Sequence, residues 1–337
     1  MLSQGRERTT VLVLMAPDDK NAAPFRKEIE NDTNLSGAVD IRFAAPADAI
    51  EVIRDAEVVE CINLSADLLA AAPKLRWVSF WSAGLDKRIT PEIEAHGLMV
   101  TSASGVHGPN IAEQVMAYML MFTRQMPLFI RAQENREWAH GTGAGFQELA
   151  GKTLGITGLG HIGSTLGARA HAFGMRVVAT KRDLSRSRDD WASGVFVPEA
   201  LYAAADLPKM LAESDHVCIA VPYTRETHHL FNAAMFAHMK PAAYLYNIAR
   251  GPIVDEQALV AALRSGRLRG AGLDVFETEP LAQDSPLWSM GNVIITPHVA
   301  GFTPYYFERA AKLFAANLER YIQGLPLRNL YVAARGY

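Results

Sequence analysis

Four apolar runs in the second half of the chain end on residues whose types can do chemistry. Val217–Val221 runs into Pro222-Tyr223-Thr224-Arg225-Glu226-Thr227, and Ala243–Ile248 into Ala249-Arg250-Gly251. Gly270–Asp274 ends on an acid with Glu279 five residues beyond, and Val293–Thr296 is followed by Pro297-His298. If these runs are parallel strands of one open α/β sheet, their carboxyl ends share a rim, and such sheets bind ligands at that rim. A guanidinium, an imidazole and two carboxylates gathered there suit hydride transfer between a nicotinamide and a 2-hydroxy acid. A substrate carboxylate needs a planar cation that also polarises the neighbouring carbonyl, which is the role read for Arg250. The substrate hydroxyl must lose its proton as hydride leaves, and imidazole is the side chain suited to take it, which assigns His298. A carboxylate on the other ring nitrogen would fix the tautomer and stabilise the imidazolium, and Glu279 is the candidate. Asp274 is placed to accept from the nicotinamide carboxamide. Singly, an arginine after a strand is usually a solvated charge and a lone histidine is usually structural. Their recurrence at successive strand ends favours a site.

The cofactor has a stretch of its own. Gly158-Leu159-Gly160-His161-Ile162-Gly163 has the spacing G-x-G-x-x-G. That spacing is weak evidence alone, but its context is strand, turn, helix, strand. Thr153–Thr157 precedes it as a short apolar run. Ile162, Leu166, Ala170 and Phe173 then share one helical face, Gly174 is placed to end the helix, and Met175–Ala179 follows. In such a unit Gly158 permits the tight turn, Gly160 admits a pyrophosphate against the main chain, and Gly163 lets helix and strand close. Amides of the first helical turn, including those of His161 and Ile162, would meet the phosphates, and Ile248, Ala249, Pro222 and Thr227 at neighbouring strand ends would line the rest of the site. Chains that bind NAD place an acid about 20 residues past the glycines. Eighteen residues past Gly163 this chain has Lys181, between Thr180 and Arg182. Basic donors there suit a 2′-phosphate, so NADP(H) is the expected cofactor and NAD(H) the lesser one. Ser185 and Arg186 would extend the cradle.

These residues must be positioned by a larger frame. At 337 residues the chain exceeds what one core usually supports, so two domains are expected. The first alternates apolar runs (Val11–Met15, Ile41–Ala44, Val58–Ile62, Trp77–Phe80, Leu98–Thr101) with helical patterns and has no glycine fingerprint. Its one unusual loop is Trp81-Ser82-Ala83-Gly84-Leu85-Asp86, whose small residues expose backbone amides. Gly108-Pro109-Asn110 turns the chain, and Asn110 with Glu113 reads as the capping box of a helix striped by Ile111, Val115, Met119 and Phe122. That helix is apolar nearly all round (Met116, Tyr118, Leu120, Met121), so both its sides should be covered, by a subunit or domain interface or equally by deep burial within one subunit. Residues 109–298 read as a doubly wound parallel sheet, with a helix over Asp255–Arg264. The amphipathic helix Phe307–Gly324 then packs back on the first domain, which comprises residues 1–108 and 299–337.

Composition excludes other classes. A net charge of −3 with 20% charged residues offers no footprint for nucleic acid. No apolar run approaches a membrane span, and Val11–Met15 is too short for a signal sequence, so the reading is cytoplasmic and without a membrane partner. Cys61 and Cys218 sit in apolar runs as buried thiols and cannot build a metal site unaided. Gly151-Lys152-Thr153 mimics the end of a P-loop, but Phe146 stands where the first glycine belongs and the triplet opens a strand.

Three motifs in order carry a resemblance. Asn247-Ile248-Ala249-Arg250-Gly251-Pro252-Ile253-Val254-Asp255-Glu256, Gly272-Leu273-Asp274-Val275-Phe276-Glu277-Thr278-Glu279-Pro280-Leu281 and Thr296-Pro297-His298-Val299-Ala300-Gly301 resemble the signatures of the D-isomer-specific 2-hydroxyacid dehydrogenases. The resemblance implies an α/β fold in which a Rossmann-type doubly wound sheet is inserted into a smaller flavodoxin-like domain. It implies Arg250, Glu279 and His298 as the catalytic set, and Ser82, Ala83 and Gly84 as contacts of the substrate carboxylate. It also implies a homodimer joined through the cofactor domains, which would cover the all-round apolar helix. Formate dehydrogenases carry glutamine at the place of Glu279, so the glyoxylate and hydroxypyruvate reductases are the more similar members. A nicotinamide-sensing corepressor on the same fold is the rival of another class. A short-chain dehydrogenase would need Tyr-x-x-x-Lys, which no tyrosine here supplies.

Overall fold

The computed structural model describes residues 8–85, 88–140, 145–184 and 196–333. The chain divides into two compact units, Met1–Val106 with Thr303–Tyr337, and His107–Phe302. The crossings thus fall at 106–107 and 302–303, against the expected 108–109 and 298–299. Local bonding explains the difference. Gly108 and Pro109 already belong to the first helical turn of the inserted unit, and Ala300 and Gly301 are bonded to Asn110 and His107.

In the first unit, strands β1 (Thr9–Val13), β2 (Val39–Phe43), β3 (Val58–Cys61), β4 (Trp77–Phe80) and β5 (Met99–Ser102) form a parallel sheet in the order β2-β1-β3-β4-β5. This is the flavodoxin-like order. Both faces are covered, so its central strands read as unbroken apolar runs. Helices α1 (Ala22–Glu30), α2 (Ala66–Ala70) and α3 (Pro91–Ala95) flank it. One face packs Leu12, Val59, Val78 and Phe80 against Leu68, Leu69 and Ile93. The other packs Val11, Val13, Val58 and Trp77 against Phe25 and Ile29 and the last helix of the chain. Ser65 and Thr90 accept from Leu68 N and Ile93 N, capping α2 and α3.

The second unit holds α4 (Gly108–Thr123), α5 (Met126–Glu134), β6 (Thr153–Thr157), α6 (His161–Ala172), β7 (Arg176–Lys181), β8 (Ala200–Ala203), α7 (Leu207–Glu213), β9 (His216–Ile219), α8 (Ala233–His238), β10 (Ala243–Asn247), α9 (Glu256–Arg264), β11 (Leu268–Leu273) and β12 (Val293–Ile295). Its strands are parallel in the order β12-β11-β10-β9-β6-β7-β8, a Rossmann-type sheet wound outward in both directions from β6 and β9. The chain then returns to the first unit as α10 (Tyr306–Ile322), which packs on α1.

Some local expectations are corrected. Asn110 does not cap α4. Pro109, with its φ already set for a helix, starts the helix earlier from His107, and the Asn110 amide donates instead to Ala300 O at 2.6 Å. Phe173 does not complete the buried stripe of α6, because the helix ends at Ala172 and the ring is 48% exposed. Gly174, at φ 75°, follows as the helix terminator. The edge strand β8 and the helix α5 were not legible in the sequence. Asp255 does cap α9, accepting from Ala258 N at 2.9 Å. Cys61 and Cys218 are buried free thiols. Among the described residues no helix is long and apolar enough to cross a membrane, and no cluster of side chains is arranged to hold a metal ion.

Candidate active site

Strands β10, β11 and β12 are neighbours, so the residues just past their carboxyl ends stand side by side. The buried Asn247 closes the turn after β10, its amide donating to Arg250 O at 3.0 Å and its carbonyl accepting from Ala249 N at 3.1 Å. Arg250 Nη1 donates to Ala249 O at 2.8 Å, which ties the start of its fork to that turn. The next residue must be glycine. A Cβ at Gly251 would lie 1.8 Å from Phe276 O, so the Arg250 turn is in van der Waals contact with the loop that follows β11. That loop carries Glu279, which folds back to accept from Phe276 N at 3.1 Å through Oε1. Its Oε2 lies 2.8 Å from His298 Nδ1. With Nδ1 committed to the carboxylate, Nε2 is the ring nitrogen that this arrangement makes able to give or take a proton.

His298 sits at φ 55°, a left-handed conformation that costs a non-glycine residue about 1–3 kcal/mol and persists only where its surroundings hold it. Asp274 is what holds it. The Asp274 carbonyl accepts from His298 N at 2.8 Å, and its carboxylate accepts from Val299 N and Ala300 N, each at 3.0 Å, and from Thr296 Oγ1 at 2.5 Å. The carboxylate is 1% exposed, and these three donors fill three of its four lone-pair sites. Its visible task is therefore to brace the His298 loop, and one Oδ2 lone pair has no donor among the described residues. Asn110 grips the same loop at Ala300 O.

On the other half of the sheet the glycine turn has a backbone reason at each position. Gly158, at φ 99°, has no room for a Cβ, which would lie 2.7 Å from Val221 Cγ1, and a Cβ at Gly163 would lie 2.5 Å from Gly158 O. Gly160 differs. A Cβ there meets nothing of the protein within 4 Å, so the glycine keeps clear a space outside the main chain, where a pyrophosphate belongs. His161 and Ile162 open α6 directly behind it. The residues present therefore fit a dinucleotide. Thr180 is buried and its hydroxyl accepts from Gly158 N at 3.2 Å, so it acts on the turn from beneath. Lys181 ends β7, and Arg182 Nη2 lies 3.9 Å from Glu226 Oε2. Thr227 Oγ1 donates to Pro222 O at 2.8 Å and accepts from Thr224 N at 2.7 Å, closing the turn after β9. Ile248 is buried and Ala249 half-buried past β10. Ser185 and Arg186 lie outside the described residues.

Ser82, Ala83 and Gly84 belong to the smaller unit, half-buried beyond β4, where Ser82 Oγ donates to Gly84 O at 3.0 Å. Sequence reasoning missed His229, whose Nε2 lies 2.8 Å from Glu277 Oε1, an oxygen that also accepts from Glu256 N at 3.1 Å. This pair ties the chain after β9 to the Glu279 loop. No spacing in the sequence announces it.

Comparison with known proteins agrees with this geometry. The family described as D-isomer specific 2-hydroxyacid dehydrogenase, NAD binding domain, matches residues 116–300. The glyoxylate/hydroxypyruvate reductase B of Shigella boydii is 37% identical over 270 residues, 79% of this chain and 81% of that protein. The D-isomer specific 2-hydroxyacid dehydrogenase of Xanthobacter autotrophicus, solved with NADPH and MES, superposes with a TM-score of 0.79 at 29% identity, covering 98% of this chain and 100% of that one. The NADPH-dependent glyoxylate/hydroxypyruvate reductase of Sinorhizobium meliloti, solved with NADP and sulfate, gives 0.75 at 27% identity, over 98% and 100%. A dinucleotide turn, a braced histidine with its glutamate and an arginine turn, all within the matched span, agree with one conclusion: the chain is an oxidoreductase and belongs to the D-isomer specific 2-hydroxyacid dehydrogenase family.

Proposed function

We propose that the protein reduces short 2-oxo acids, glyoxylate and hydroxypyruvate foremost, to D-2-hydroxy acids with NADPH. The observation that carries this reading is the 2.8 Å contact of Glu279 Oε2 with His298 Nδ1, beside the Arg250 turn. Bound NADPH supplies the hydride. Arg250 binds the substrate carboxylate and polarises the carbonyl, and His298 Nε2 gives its proton to the carbonyl oxygen as charge develops there. Glu279 holds the imidazole in the tautomer that keeps Nε2 on the substrate side. Gly158, Gly160, His161, Ile162 and Gly163 would hold the pyrophosphate, and Lys181 and Arg182 the 2′-phosphate. Ser82, Ala83 and Gly84 are assigned to the substrate carboxylate. The names and ligands of the relatives support the substrate and the phosphate.

The reading includes a homodimer. Met126 and Ile130 of α5, Phe146 and the 92%-exposed Trp138 are exposed apolar side chains of the kind a second copy would cover. Free buried thiols suit a reducing compartment, the cytoplasm. A binding protein that senses nicotinamide on the same fold is dismissed by turnover on any 2-oxo acid at ordinary enzyme rates. The test is a panel of 2-oxo acids from glyoxylate to phenylpyruvate, assayed with both reduced nicotinamides. Turnover is expected, with NADPH preferred, and His298→Ala should lower kcat by roughly 10²–10⁴-fold while leaving cofactor affinity nearly intact. No turnover on any of them would overturn the reading.

A further inference from the structure

We propose that Tyr118, on α4, is a positioning residue for the reaction: through Thr296 and Asp274 its hydroxyl holds the main chain that carries His298. This rests on the reading of His298 as the proton donor. Thr296 Oγ1 lies 2.5 Å from Asp274 Oδ1, and the Tyr118 hydroxyl is hydrogen-bonded to the same Thr296 Oγ1. An ionised carboxylate only accepts, so Thr296 donates its one proton to Asp274, and Tyr118 must then donate to Thr296. The chain therefore has one polarity, Tyr118 to Thr296 to Asp274. Burial pushes the Tyr118 pKa up against the pull of its hydrogen bonds with Thr296 and Gln114, and the Asp274 charge adds to the rise, which keeps the phenol protonated as the donor to Thr296. Asp274 in turn receives the amides of Val299 and Ala300 on its carboxylate and that of His298 on its carbonyl. The relay thus ends on the residue that holds the main chain on both sides of the left-handed His298.

A second observation stands apart from these bonds. Gly272 lies inside β11, where glycine weakens a strand and so calls for a reason. A Cβ at Gly272 would lie 2.7 Å from the Tyr118 ring. The ring occupies that gap and lies nearly parallel to Tyr246, with centroids 6.3 Å apart and planes 6° apart. The strand is opened twice for rings of α4, at Gly270 for Phe122 and at Gly272 for Tyr118, whose hydroxyl alone goes on to Thr296. Packing alone would be served equally by phenylalanine, so the hydroxyl can be tested by itself.

The experiment compares Tyr118→Phe, Thr296→Val, Thr296→Ser and the double variant Tyr118→Phe/Thr296→Val in the full chain, reading kcat, KM for NADPH and Tm. Tyr118→Phe should lower kcat about 3- to 10-fold and Thr296→Val about 10- to 100-fold, the scale of a lost neutral and a lost charge-assisted hydrogen bond. KM for NADPH should stay within about twofold, because the glycine turn is untouched. Thr296→Ser should recover most of the kcat lost in Thr296→Val. The double variant should be no worse than Thr296→Val alone, since the two groups act in series. A Tyr118→Phe kcat within about twofold of the parent, with or without a lower Tm, would overturn the proposal, as would losses that multiply in the double variant. Absence of turnover in the unmodified protein would overturn the reading of His298 and this inference with it, whereas turnover that Tyr118→Phe leaves intact overturns the inference alone.

Discussion

Replacing Gly251 by alanine should damage catalysis far more than one methyl group suggests. The added Cβ would lie 1.8 Å from Phe276 O, 1.9 Å from Phe276 C and 2.5 Å from Glu277 N, where real contacts stay beyond 3.0 Å. The neighbours are backbone atoms, so no side chain can swing aside, and the two loops must part by more than 1 Å. One loop begins with Arg250 and the other holds Glu279 through Phe276 N. Catalytic groups need to be held within about 0.5 Å, and a displacement near 1 Å costs on the order of 10²-fold in rate. We expect kcat/KM for a 2-oxo acid to fall by about that factor, or roughly 2.7 kcal/mol at 1.36 kcal/mol per decade, with about 1–3 kcal/mol of stability lost to overpacking. The assay is steady-state oxidation of NADPH beside urea denaturation, with Gly266→Ala as control. Gly266 is at φ 74° with nothing within 4 Å of its Cβ position, so that variant should lose stability through strain and keep its rate. A folded Gly251→Ala protein within about threefold of the parent kcat/KM would refute the idea that this contact sets the spacing of the two catalytic loops.

Other outcomes follow from the same structure. Gly160→Ala should leave Tm unchanged, because its Cβ meets no protein atom, yet weaken NADPH binding by roughly tenfold or more by entering the pyrophosphate space; equal titration curves for both proteins would exclude that. Lys181→Asp with Arg182→Gln should reverse the preference for NADPH over NADH, read as the ratio of kcat/KM values, and an unmoved ratio would show that the pair does not read the 2′-phosphate. Glu60, in β3, is fully buried with Oε2 unpartnered, and burial raises its pKa well above the ordinary 4.5. The folded state therefore holds this proton more tightly than the unfolded chain, and the resulting stability is complete below about pH 4.5 and is lost as pH rises through the folded value. Glu60→Gln should accordingly gain stability over the parent as pH rises from 5 toward 9 in urea denaturation, and a difference constant with pH would contradict the assignment.

The glycine turn was legible because each of its positions has a backbone reason that a sequence can display. The strands were legible because a parallel sheet covered on both faces needs unbroken apolar runs such as Val11-Leu12-Val13. What escaped depends on distant partners. Asp274 was recognisable as an acid at a strand end, but its donors, Thr296, Val299 and Ala300, lie 22 to 26 residues further on. Asn110 matched a capping pattern so well that its bond to Ala300 was hidden, and only the earlier helix start set by Pro109 frees its amide for that contact. The left-handed backbone of His298 has no counterpart in Pro297-His298 as written. The edge strand β8 is half-exposed and carries no alternation strong enough to be read.

The helix α10 has a consequence for how the chain is made. Phe314 of α10 packs against Phe25 and Trp77, with ring centroids 6.1 and 5.4 Å apart, and Ala310, Ala311 and Leu318 complete the cover over one face of the first sheet. The strands of that sheet are synthesised before the inserted unit, and α10 after it. At about 5–20 residues per second the ribosome needs on the order of ten to forty seconds to pass from one to the other. During that interval the inserted unit can close around its own core, while Trp77 of β4 and Phe25 of α1 wait without the part of their cover that α10 supplies. Assembly therefore runs against the order of the sequence, the first strands translated being the last to be sealed, and this is the window in which a nascent chain would most need a chaperone.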